Sequence, residues 1–319
     1  MVNVLLASLV LTLFFSAPAL AQFADLLPGQ EISVALEPAF AQPHTQVIAR
    51  LNDYAAEVDG ATIDWQINGV ARNELRNQRS VTFMSGEAGS ETRLVVRLTL
   101  PGGAVRTASA AVVPRYLDII VEPQSYVPPF YRGRPLPSAG STVNLTALID
   151  GGAVSPAGLS YLWRVNNETL LGGATRGRNK VSFTMPLGGA IVSLEVRRAS
   201  DGAILGRRVF ELMSSEPVIV FYEVSPLYGL LELALQNFPL IGQSATVRAV
   251  PYYLDIETYN NPGLAEWRIN GVRTTNNGDN PYEATLSRAF GVGIVSLDFH
   301  VRNLDQLLHG ARGRLQVNF

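Results

Sequence analysis

At 319 residues the chain is too long for one ordinary core, and about 100–200 residues per domain predicts two or three domains. Apolar residues make up 47% and charged residues 16%, which excludes the hydrophobe-poor composition of disordered chains. The 25 Lys+Arg against 27 Asp+Glu leave a formal charge of -2 with no basic run, so no large phosphate-neutralising surface and no nucleic-acid partner are expected.

Cysteine is absent. Disulfides, thiolate metal sites, thiol nucleophiles and a bacterial lipoprotein anchor are thereby excluded, and stability must come from hydrophobic cores.

Residues 2–21 carry no charge, and the apolar run from Val4 to Phe15 fits the hydrophobic core of a signal peptide. Ser16-Ala17-Pro18 breaks a helix, and Ala19-Leu20-Ala21 supplies the small residues that signal peptidase requires, predicting a mature start near Gln22. The usual Lys or Arg ahead of the run is missing. An uncleaved membrane anchor is the alternative, and in that case the membrane is reached only through this segment.

A pattern of about 100 residues then repeats three times. Ile63-Asp64-Trp65-Gln66-Ile67-Asn68-Gly69 returns as Tyr161-Leu162-Trp163-Arg164-Val165-Asn166-Asn167 and as Ala265-Glu266-Trp267-Arg268-Ile269-Asn270-Gly271. These are the only three tryptophans, 98 and 104 residues apart. Trp-x-(Ile/Val) places two apolar side chains on one face of a strand, so Trp65, Ile67, Trp163, Val165, Trp267 and Ile269 are the predicted structural core. The Asn-Gly or Asn-Asn that follows tolerates the positive φ of a tight turn.

Each copy continues with a further strand, at Ser80–Phe83, Lys180–Phe183 and Tyr282–Leu286, and with a second shared block opening at Leu94, Ile191 and Ile294. Those three residues lie 29, 28 and 27 positions after their tryptophans. Short strands separated by Gly, Pro and Asn, without 3.6-residue periodicity, predict an all-β chain.

On these residues the chain resembles polycystic-kidney-disease-type (PKD-type) and related immunoglobulin-like modules of exported bacterial surface proteins. It is also similar to exported multi-module proteins of small-genome candidate bacteria, some of them pilus-associated. The resemblance implies three tandem immunoglobulin-like β-sandwiches behind a signal peptide at 1–21, with boundaries at 22–114, 115–215 and 216–319.

Copies two and three share a Pro-Tyr-Gly element after their opening strands, Tyr126-Val127-Pro128-Pro129-Phe130-Tyr131-Arg132-Gly133 and Val224-Ser225-Pro226-Leu227-Tyr228-Gly229. Proline forbids continuation of a central strand, so a crossover loop carrying aromatics is expected. Two readings stand: a packing plug over a module junction, or a contact surface formed by Tyr126, Phe130, Tyr131 and Tyr228. In copy three, 227–240 adds a short helical turn on this reading.

No chemistry-bearing motif emerges. His44, His300 and His309 lack metal-ligand spacing and read as surface or boundary residues, no nucleophile elbow is present, and the Gly172-Gly173 stretch lacks the setting of a phosphate loop. Asn260-Asn261 and Asn276-Asn277-Gly278-Asp279-Asn280 offer oxygens without the regular spacing of a calcium loop. No catalytic, cofactor or metal residue is therefore expected. The sequence predicts a non-enzymatic exported protein, periplasmic, cell-surface or extracellular, contacting an envelope or surface protein or a glycan. An envelope enzyme, an accessory module of a carbohydrate-active enzyme, and a membrane-tethered spacer are the alternatives.

Overall fold

The computed structural model describes residues 32–53, 60–150, 155–274, 279–288, 293–304 and 309–319. The signal segment, Asn276, Asn277 and Gly278 lie outside the described residues. By packing, the described chain falls into two compact units: one ends its first segment at Ala39 and includes Val47–Phe83 and Thr92–Ala111, and the other includes Phe40–Gln46, Met84–Glu91 and Val112–Phe319.

The first unit is built from β1 (Ile32–Glu37), β2 (Gln46–Asp53), β3 (Thr62–Ile67), β4 (Val70–Ala71), β5 (Ser80–Met84), β6 (Thr92–Thr99) and β7 (Val105–Val112). They form two sheets, β1-β2-β5 and β4-β3-β6-β7. Strand alternation sends Val47, Ala49 and Leu51 of the first sheet and Trp65, Leu94, Val96 and Leu98 of the second out of solvent.

In the second unit the same seven-strand plan appears twice. It begins with β8 (Tyr116–Pro123), β9 (Ser125–Tyr126), β10 (Thr142–Asp150), β11 (Leu159–Val165), β12 (Glu168–Thr169), β13 (Thr175–Arg176), β14 (Lys180–Thr184), β15 (Ala190–Arg198) and β16 (Ile204–Leu212). Then follow β17 (Val218–Ser225), β18 (Gly229–Leu235), β19 (Asn237–Pro239), β20 (Ser244–Tyr252), β21 (Leu254–Asp255) and helix α1 (Ile256–Asn260). The last strands are β22 (Leu264–Ile269), β23 (Val272–Thr274), β24 (Glu283–Ser287), β25 (Ile294–Arg302) and β26 (Gly310–Asn318). Sheets β14-β10-β8 and β12-β11-β15-β16 enclose one core; β18-β17-β20-β24 and β19-β26-β25-β22-β23 enclose the next.

The chain is all-β, and this split is immunoglobulin-like in each copy. Three strands pair in one sheet and four in the other, with the tryptophan strand internal in the second; β13 adds to the larger sheet of the middle copy, and β18 and β19 extend the two sheets of the last. Trp65, Trp163 and Trp267 are each 1% exposed. Val165 is buried, whereas Ile67 and Ile269 are half-buried. Every indole N–H crosses to the backbone oxygen two residues ahead of the facing sheet's strand: Trp65 to Gln78 (2.9 Å), Trp163 to Arg178 (3.2 Å) and Trp267 to Pro281 (3.0 Å).

The shared asparagine has a physical reason. Asn68, Asn166 and Asn270 sit at φ 52°, 48° and 49°, each followed by a second positive-φ residue, as a two-residue turn of this hand demands. Their side-chain amide oxygens also accept the backbone N–H of Arg93, Ile191 and Ser296 at 2.8–2.9 Å, tying the turn to the neighbouring strand.

The structure corrects two expectations. Leu94, Ile191 and Ile294 are not equivalent: Leu94 is buried, but Ile191 is 54% and Ile294 71% exposed. The strand partners of the tryptophans are Val96, Leu194 and Phe299, so the true counterparts of Leu94 are Val192 and Leu297. Side chains alternate with period two, and a slip of one residue exchanges inside for outside. The second correction concerns 227–240, where the described structure is the extra edge strand β18 followed by β19, which pairs parallel with β26. Leu230, Leu231, Leu233 and Leu235 close on one another in the sequence, but the strand partner β17 determines the conformation.

Candidate functional site: the aromatic junction of the second unit

The loop that joins β8 to β10 leaves its own sandwich and lies across the outer face of the β17–β20 pair. Its proline-rich sequence explains why: Pro128 and Pro129 withhold N–H donors and cannot join the parent sheet. The short strand β9 instead pairs antiparallel with β21, Tyr126 opposite Leu254 and Ser125 opposite Asp255. Backbone bonds from Tyr253 N–H to the Tyr126 oxygen (2.7 Å) and from Ile256 N–H to the Gln124 oxygen (3.0 Å) extend the seam.

Aromatic side chains fill the space above it. Tyr126 stacks on Tyr259 with ring centroids 3.6 Å apart, and Tyr259 stacks on Tyr282 at 4.9 Å. Phe130 meets Tyr222 edge-on at 5.4 Å, and Tyr131 meets Tyr252 edge-on at 5.3 Å. Two phenol pairs satisfy their own hydroxyls, Tyr131 with Tyr253 at 2.7 Å and Tyr222 with Tyr252 at 2.6 Å. Burial first and the adjoining phenols second push Tyr126, Tyr252 and Tyr282 well above the usual phenol range.

A cavity of about 450 Å³ remains between loop and sheet, lined among others by Tyr126, Pro128, Phe130, Leu230, Arg248 and Tyr282. Its polar wall comes from Arg248, paired with Glu283 (Nε to Oε1, 2.7 Å), from Asn280, whose amide reaches the same oxygen at 3.2 Å, and from Glu232. An apolar aromatic cavity with a few planar polar groups is suited to holding a ring-shaped polar ligand.

A polar seam closes the other flank. Asp255 caps helix α1 by accepting the Thr258 N–H (3.1 Å), and the His309 ring lies with Nδ1 3.4 Å from Thr258 Oγ1 and 3.9 Å from Asp255 Oδ2. His309, read from sequence as a surface or boundary residue, is buried. Gly140 makes the room: its φ is +84°, and a Cβ there would stand 2.1 Å from His309 Nε2. His300 is exposed on β25 and His44 is exposed as well. Among the described residues no three His, Asp or Glu converge as a metal-holding group.

Of the four aromatics singled out by sequence, Tyr126, Phe130 and Tyr131 come together here against β17 and β20. Tyr228 does not; it stands 82% exposed in the β17–β18 turn, beside Leu227 at 86%. The receiving residues Tyr222, Tyr252, Tyr253, Tyr259 and Tyr282 were missed. A usable signal existed, since Tyr222 and Tyr252 take the outward positions of strands whose inward positions Phe221, Val247 and Ala249 already fill a core.

No family model matches the chain, and no curated protein matches it. Among solved structures, the chain is similar to three N-terminal domains of the bacteriophage RB49 highly immunogenic outer capsid protein, at 10% identity over 90% of this chain and 97% of that one, with a TM-score of 0.26. It is also similar to the central fibronectin-III array of RIM-binding protein, at 12% identity over 90% and 95% of the two chains, TM-score 0.28. A third is SGBP-B of the Bacteroides ovatus mixed-linkage glucan utilization locus, solved with a mixed-linkage heptasaccharide, at 13% identity over 94% and 69%, TM-score 0.23. Identities and TM-scores this low carry no functional weight, and the architecture above rests on strand pairing.

Proposed function

We propose that this is an exported, non-enzymatic protein of the cell envelope or surface that presents PKD-type immunoglobulin-like modules, bounded at 22–114, 115–215 and 216–319, for contact with a protein or a glycan. The observation that carries the reading is the aromatic junction. Eight rings and a two-strand seam join the sandwiches around Trp163 and Trp267 into one compact unit, which suits a load-bearing or adhesive element better than a hinge. Association with a pilus is the finer form of the same proposal, motivated by the sequence resemblance alone.

The cavity beside Tyr126 favours a second reading, the accessory module of a carbohydrate-active enzyme, in which a sugar ring packs on the aromatic wall. One experiment separates the readings. The secreted protein is recovered, its N-terminus sequenced, and its binding measured on isolated envelope and on a neutral glycan array. A start near Gln22 and saturable envelope binding are expected; retention inside the cell, or turnover of a bound substrate, overturns the proposal. Glycan binding abolished by Tyr126→Ala selects the accessory-module reading.

A further inference from the structure

The outer face of the β23–β22–β25–β26 sheet carries a set of arginines that the core and the junction leave unused. Inward positions Trp267, Leu297, Phe299 and Leu315 build the core, and alternation turns Arg268, Asp298, His300, Arg302, Arg312 and Arg314 outward. Register assembles them in rungs: Arg268, Asp298 and Arg314 in one, Glu266, His300 and Arg312 in the next, with Arg302 beside Gly310 in the third. Two hollows of about 600 and 550 Å³ open on this face and share His300 and Arg312.

Charge is unevenly satisfied there. Asp298 takes Arg314 at 2.5 Å, and Glu266 holds Arg268 and, at 3.4 Å, Arg273. Among the described residues Arg302 and Arg312 enter no ion pair, and Arg302 Nε is buried with no hydrogen-bond acceptor. Among the described lining residues, Glu216 at the rim of the smaller hollow is a further carboxylate. The corresponding face in the preceding sandwich is different: there Arg197 and Arg207 both close on Glu195 at 2.5 Å. A buried guanidinium nitrogen without an acceptor is costly, and a planar fork of donors matches a carboxylate or sulfate.

We propose that this face binds an acidic polysaccharide, its carboxylate or sulfate groups received by Arg302 and Arg312 and its hydroxyls by Asp298 and Glu216. The interspersed carboxylates Asp298 and Glu216 accept hydroxyls, which a polysaccharide offers on every ring. Phe299, the one Phe, Tyr or Trp lining the hollows, is 1% exposed and offers no surface for stacking bases, which leaves only the His300 ring. The site is separate from the aromatic junction and does not depend on export.

The test uses the chain from residue 22 onward with polygalacturonate and heparin as probes, by biolayer interferometry at physiological salt. The double variant Arg302→Ala/Arg312→Ala is expected to weaken binding by about tenfold or more, the equivalent of one charge-assisted hydrogen bond. The charge-matched control Arg50→Ala/Arg72→Ala leaves it unchanged. Should the double variant not fold, the exposed single Arg312→Ala serves, with a smaller loss expected. Preference for heparin or for polygalacturonate tells sulfate from carboxylate. The proposal is overturned by no binding of either polymer, by equal losses in variant and control, or by oligo(dT) binding as tightly as the polysaccharides.

Discussion

The Pro-Tyr-Gly element occurs twice, and the two copies meet opposite fates. In the first, Phe130 and Tyr131 are pressed onto the outer face of the next sandwich; in the second, Leu227 and Tyr228 stand in water at a hairpin turn. Both turns hold their shape locally, the second through Ser225 Oγ, which accepts the N–H groups of Leu227 and Tyr228 at 3.3 Å each. A local motif therefore specifies a bend and an aromatic, while the surface laid against it decides whether the aromatic works as a plug or as an exposed tip. Both readings open at the level of sequence describe one copy each.

The contrast can be broken by substitution. Tyr252→Ala removes a ring packed by Tyr131 and bonded to Tyr222, and should cost about 3–5 kcal/mol in chemical denaturation of the second unit, comparable to Trp163→Ala. A loss under about 1 kcal/mol would show that the outer-face packing contributes little.

Alkali sharpens the contrast. Folding raises the pKa of Tyr126, Tyr252 and Tyr282, so their neutral forms stabilise the fold fully below the unfolded phenol value of about 10. Above that pH the unfolded chain loses protons that the folded one keeps, and stability falls as pH rises. Denaturation followed from neutral to alkaline pH should show this decline, and Tyr252→Phe should flatten it.

Smaller effects come next. Tyr131→Phe deletes only the hydroxyl bond to Tyr253 and should cost about 1 kcal/mol. Tyr228→Ala should change stability by no more than about 0.5 kcal/mol, as for an exposed side chain; a larger loss would mean the tip is packed after all.

Much of the fold was legible because Trp-x-(Ile/Val)-Asn encodes an inward face and a left-handed turn in consecutive residues. Its three occurrences fall on β3, β11 and β22, each an internal strand of its sheet. What failed was register: Ile191 and Ile294 are as apolar as Leu94, and composition cannot tell which side of a strand faces in until a partner is assigned. The arginine face was invisible for a related reason. Arg268, Arg302, Arg312 and Arg314 never form a run, being alternate residues on three strands brought side by side only by cross-strand pairing. The burial of His309 was not legible because it depends on Gly140, distant in sequence.

The indole bonds carry one more consequence. Each links the two sheets across only 13–15 residues of chain, whereas the sheets' own closing strands are far apart in sequence. The entropy of closing so short a loop is small. That bond across the two sheets is thus available within the middle third of each sandwich, before its final strand has been made, and it recurs at the same place three times.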